Sequence, residues 1–102
     1  MAVLVTLRIA GDPSRIEQAL KSDPERLAGI AERSKAKGAL HHQFYGSADG
    51  GGVIVVDEWE TADGFRQFFG ENPDIGAMMA EAGVTSEPEV TFWNRLDTPD
   101  AF

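Results

Sequence analysis

Hydrophobic positions along this chain switch repeatedly between strand-like runs and helical spacing, and polar punctuation marks each switch. "AVLVTLRIA", residues 2–10, is rich in β-branched and aliphatic residues and stops at Gly11, which predicts a strand. Asp12-Pro13 opens a helix, with Asp12 capping free amides and Pro13 at the first helical position, where a missing N–H costs nothing. Ile16, Ala19 and Leu20 share a face. Ser22, Asp23 and Pro24 then form a second start signal, so two tandem helices or one kinked helix are expected. Leu27, Ile30, Ala31 and Ser34 continue the stripe, Lys35 and Lys37 complement the negative end of the dipole, and Gly38 is the stop.

Residues 39–47 and 52–60 read as two strands joined by "SADGGG", in which Asp49-Gly50 suits the positive φ of a tight reversal. Thr61 caps a helix carrying Phe65, Phe68 and Phe69. Asn72-Pro73 restarts it, with Ile75, Met78, Met79 and Ala82 on one face and Gly83 at the end. "PEVTFWNRL", Pro88 to Leu96, is the last strand.

The order strand, helix, strand, strand, helix, strand gives two similar halves and predicts an α+β, ferredoxin-like βαββαβ domain over residues 1–96. Right-handed crossovers lay every helix on one face of a four-stranded antiparallel sheet. Residues 97–102 are left as a short tail. The other sheet face should then be polar if it met water, yet "VLVTL", "GVIVV" and "VTFW" carry apolar residues on both faces. Two sheets packed face to face would bury that second set, so a homodimer is expected.

The 102 residues suit one domain. A net charge of -8 repels phosphate backbones and anionic lipid, which argues against nucleic-acid and membrane partners. The absence of cysteine rules out disulfides, zinc ribbons and a thiol nucleophile. No apolar run approaches the ~20 residues of a spanning helix, nor does the amino terminus read as a leader, so a soluble cytoplasmic protein is expected.

"ALHHQFYGSADGGGVIVVDEWE" holds the candidate chemistry. His41 and His42 point to opposite faces of a strand, so the pair cannot chelate one ion. A reversal centred between Asp49 and Gly50 sets His42 opposite Asp57, Phe44 opposite Val55, Leu40 opposite Trp59 and His41 opposite Glu58. One face then carries Leu40, His42, Phe44, Val53, Val55, Asp57 and Trp59. A carboxylate beside His42 would orient the imidazole and favour proton transfer near neutral pH, making His42 and Asp57 the candidate catalytic pair. The same pairing also arises as a structural bond between two half-buried polar groups. His41, Gln43, Tyr45 and Glu58 fall on the opposite face, in reach of a partner subunit.

Phe65, Phe68, Phe69, Met78 and Met79 have the spacing of plain core. Alternatively their helices stand off the sheet, with Gly64, Gly70 and Gly76 easing a lid motion. These residues with Phe44, Trp59 and Trp93 would then wall a pocket for an apolar ligand. "GGG" at 50–52 lies in a hairpin and is no phosphate loop, and no serine has a nucleophile-elbow context. No metal is expected: His42 and Asp57 supply two ligands, and only Glu58 or a residue of the last strand could add a third.

The opening "VLVTLRI", the segment "VVDEWETADGFRQFF", "NPDIGAMM" and the closing "PEVTFWNRL" together resemble the dimeric α/β-barrel superfamily, and within it the antibiotic biosynthesis monooxygenase-like group. The resemblance spans nearly the whole chain. It implies a homodimer and, among its activities, oxygenases of aromatic polyketides that need no cofactor, haem-degrading enzymes, and small proteins without assigned activity. The haem degraders' asparagine, tryptophan and histidine correspond to Thr6, Phe68 and Met78, which leaves iron without its axial ligand. Two functions remain: an oxidoreductase of the cofactor-independent oxygenase type acting on an apolar or aromatic small molecule, or a non-catalytic binding or accessory protein.

Overall fold

A computed structural model describes residues 2–102. Its elements follow the sequence punctuation: β1 (Val3–Ala10), α1 (Pro13–Lys21), α2 (Pro24–Ala36), β2 (Ala39–Gly46), β3 (Gly52–Trp59), α3 (Ala62–Glu71), α4 (Asp74–Glu81) and β4 (Glu89–Asn94). Each predicted cap closes its helix. The Asp12 carboxylate accepts from the Ser14 amide at 3.0 Å, Asp23 from Arg26 at 3.2 Å, and the Thr61 hydroxyl oxygen from Gly64 at 3.0 Å. Because Asp23-Pro24 starts afresh, the first helical region is two helices.

The strands form one antiparallel sheet in the order β2-β3-β1-β4, so β1 and β3 are central and β2 and β4 are edges. Val3, Val5, Leu7 and Ile9 of β1 and Val53, Val55, Asp57 and Trp59 of β3 point under the helices and are buried. Alternation explains this pattern, since every second side chain faces the same way. Trp59 anchors α3: its ring meets Phe65 edge-on at 5.6 Å and Phe68 at 5.4 Å. Phe65 also meets Phe92 of β4 at 5.7 Å. Burial of each such side chain stabilises by about 1.5–3 kcal/mol.

The sheet's other face carries no helix. Leu4, Thr6 and Arg8, Ile54, Val56 and Glu58, His41, Gln43 and Tyr45, and Thr91 and Trp93 share it by register. Trp93 is therefore not a wall of the space beneath the helices, as the sequence reading had it. It lies opposite Leu4, is half exposed, and donates its indole N–H to the Thr6 hydroxyl at 2.8 Å. The one-residue parity that puts Phe92 against α3 turns Trp93 away. Beyond β4, residues 95–102 contain no helix or strand. Among the described residues no helix is long and apolar enough to cross a membrane.

Gly64 is a packing requirement rather than a hinge. A Cβ there would sit 2.6 Å from the Lys37 carbonyl oxygen, whereas one at Gly70 meets nothing within 4 Å. Gly64→Ala must push α3 away from the Lys37 carbonyl at the end of α2, so it lowers stability by about 1–3 kcal/mol in chemical denaturation, outweighing any gain in helix propensity. Gly70→Ala is expected to be neutral, or stabilising by up to about 1 kcal/mol.

Candidate functional site

The hairpin between β2 and β3 sets the site. Ser47 N–H donates to the Gly52 carbonyl at 2.8 Å, closing a four-residue loop in which Gly50 takes φ +80°. Asp49 holds the turn: its carboxylate accepts from the Ser47 hydroxyl and, at 2.8 Å, from the Gly51 amide. Those bonds, the Ser47 hydroxyl foremost, hold its carboxyl below the usual carboxylate range. With the loop so centred, His42 pairs with Asp57, His41 with Glu58 and Phe44 with Val55.

The pairing of Leu40 with Trp59 does not occur. An irregularity between Ala39 and His41 sets Ala39 opposite Trp59 and leaves Leu40 outside the ladder, half exposed. The extra residue is a β-bulge. Its consequence is steric, because a methyl group rather than an isobutyl group faces the Trp59 indole on the helix side.

His42 and Asp57 are bonded, with Nδ1 and Oδ1 2.6 Å apart. The two partners differ in exposure: the imidazole side chain is 45% exposed and the carboxylate only 10%. Phe44 packs edge-on against the imidazole at 5.0 Å. A third member joins them from the same strand. Trp59 Nε1–H donates to Asp57 Oδ2 at 3.2 Å. Both carboxylate oxygens are thus occupied, one by each ring.

These groups line a cleft of about 1280 Å³ between sheet and helices, well above the ~300 Å³ at which small-molecule sites begin. Phe44, Trp59, Phe65, Phe68, Phe69 and Met78 all line it. The helix that stands off is a different one. Phe65 and Phe68 of α3 and Met78 of α4 are buried, while in α2 no residue is fully buried and Leu27 and Ile30 are only partly so. Leu27, Ile30, Ala31 and Ser34 of α2 form the cleft's outer wall instead. Little in the sequence signals this beyond the lack of any aromatic in the α2 stripe, because the place of α2 above an edge strand is set by the sheet order.

Beside the partly buried Leu27 and Ile30, charged pairs tie α2 to its neighbours. Arg26 donates to the Glu81 carboxylate at 3.0 and 3.3 Å and to the Asp74 carbonyl at 3.3 Å. Arg33 pairs with Asp74 at 2.7 Å, and Lys37, just past the helix, with Glu71 at 3.3 Å. Every base is on the α2 side and every acid on α3 or α4. No group of three or more His, Asp or Glu side chains among the described residues is placed to hold a metal ion, and Glu58 is on the far face of the sheet.

Neither a protein-family model nor a curated protein sequence matches the chain. Solved structures do. A monooxygenase from the ActVA-Orf6 gene of Streptomyces coelicolor, in complex with nanaomycin D, superposes with a TM-score of 0.65 at 19% identity, over 98% of this chain and 92% of that one. SnoaB, a cofactor-independent oxygenase from Streptomyces nogalater, gives 0.63 at 16% identity, over 98% and 97%. A dimeric ferredoxin-like protein from an uncultured marine organism gives 0.68 at 16%, over 95% and 90%. The chain thus has a ferredoxin-like α+β fold that these proteins share. At these identities the likeness is one of fold.

The Arg33–Asp74 pair is partly exposed, and such pairs contribute roughly 0.2–1 kcal/mol. Arg33→Ala should therefore speed amide hydrogen exchange in α2 by roughly 1.5- to 5-fold while leaving β3 unchanged. High salt should have a similar effect on the native protein.

Proposed function

We propose that this protein is a cofactor-independent oxygenase-like enzyme acting on an apolar or aromatic small molecule in the cleft between sheet and helices. The observation that carries the reading is the bonded His42–Asp57 pair at the edge of a large apolar cavity. Similarity in fold to SnoaB and to the ActVA-Orf6 monooxygenase supports it.

In this reading His42 is the base. Its Nδ1 is held by Asp57, and Nε2 takes a proton from an acidic C–H of the substrate. The apolar walls limit water around the resulting carbanion, which is delocalised over the aromatic rings and passes electrons to dioxygen. An activated methylene then becomes a carbonyl: one oxygen atom enters the product, and the other leaves as water with the two hydrogens. The substrate itself is the reductant, so the overall reaction balances without flavin or metal.

An anthrone is a suitable probe, because its methylene gives a stabilised anion. With chelator present, the protein should consume one dioxygen per anthrone oxidised, and His42→Ala should lower kcat by about 10²–10⁴-fold, as expected for losing a general base. Saturable anthrone binding with no oxygen uptake above the buffer rate would instead favour a non-catalytic binding or accessory role.

We also assign a homodimer through the uncovered sheet face. Leu4, Ile54, Val56 and Trp93 lie there, and a dimeric protein shares the fold. Light scattering should give twice the mass of one chain, and Val56→Asp should halve it by placing a charge at the centre of that face.

A further inference from the structure

We propose that Trp59 is a positioning residue, whose indole N–H fixes the tautomer and aim of His42 through Asp57. The inference deepens the proposed function and rests on it only for its catalytic consequence. Its physical basis is a chain of three side chains in which each atom has one role available. An indole nitrogen can only donate, so Asp57 Oδ2 must be the acceptor of the 3.2 Å bond. With that oxygen engaged, Oδ1 is aimed at His42 Nδ1, 2.6 Å away. A carboxylate acceptor there selects the imidazole that carries its proton on Nδ1, which leaves the Nε2 lone pair for the cleft.

Packing makes Trp59 suited to the task. Its side chain is among the most buried in the protein, at 1% residue exposure, and is clasped by Phe65 and Phe68. By contrast the imidazole is nearly half exposed, with Phe44 against its ring and the Asp57 carboxylate on Nδ1. Order thus passes from the core outward, from a locked indole to a buried carboxylate to a ring at the cleft edge. Asp57 and Trp59 stand two apart on β3, so the strand itself delivers both groups to one face. Bulk alone would not require tryptophan, since phenylalanine fills much of the same space without an N–H.

The test is nitrogen-detected NMR of the His42 ring without substrate, at a pH where the imidazole is neutral. Native protein should show predominantly the Nδ1-protonated tautomer. Trp59→Phe should lower the ratio of Nδ1–H to Nε2–H by about tenfold. It should also lower kcat for anthrone oxidation by about tenfold, with KM changed less than twofold. Should Trp59→Phe fail to fold, benzothienylalanine incorporated at position 59 in a Trp93→Phe background replaces the N–H with sulfur at nearly unchanged shape. It should produce the same tautomer change.

An unchanged tautomer ratio in a folded protein lacking the indole N–H would overturn the proposal. That result would leave the oxygenase reading standing, just as absent oxygen uptake would overturn the oxygenase reading and leave the tautomer result intact.

Discussion

The demand of one buried carboxylate for donors organises much of this molecule. Asp57 lies in a central strand beneath the helices, where an ionised group without partners is costly. Its two donors come from opposite sources: His42 across the hairpin and Trp59 from its own strand. Only the first requires the observed register. A slip of one residue would turn His42 to the uncovered face and set His41 or Gln43 opposite Asp57 in its place. The Ser47–Gly52 closure and the Asp49 bonds therefore do more than end two strands, because they determine which side chain meets the charge.

The same region shows why the cleft lies where it does. On one side of the helical layer, Phe65 and Phe68 fill the space against Trp59 and leave α3 firmly seated. On the other, α2 offers Leu27, Ile30 and Ala31 above an edge strand whose inward residues are Ala39, His42 and Phe44. These side chains are only partly buried, and an open cleft remains between them. The bulge at Leu40 widens it by removing a large residue from the inward face, so helix and strand remain apart and charged pairs along the α2 rim hold the wall. In the proposed oxygenase the closely packed side would aim the His42–Asp57 pair and the less packed side would admit the substrate.

On the opposite face of the sheet, apolar Leu4, Ile54, Val56 and Trp93 are interleaved with Thr6, Gln43, Glu58 and Thr91. Such mixing differs from the continuous apolar face beneath the helices. It suits association between folded chains, where polar groups set register and apolar ones supply burial. The Thr6–Trp93 bond holds one of the large aromatic rings there in a defined orientation.

Much of this was legible locally. Asp12, Asp23 and Thr61 announce helix starts because a cap is a contact over two or three residues, and alternation in β1 and β3 reveals their buried faces because it follows from strand geometry. Turn chemistry at Asp49-Gly50 was enough to pair His42 with Asp57. The bulge, the outward face of Trp93, the indole bond to Asp57 and the gap beneath α2 were decided only in three dimensions. The sequence by itself determined the elements, their order and the hairpin register, since these depend on neighbours in the chain. Tertiary structure alone decided which helix seats closely and which stands away, because that outcome depends on how side chains distant in sequence fill a shared volume.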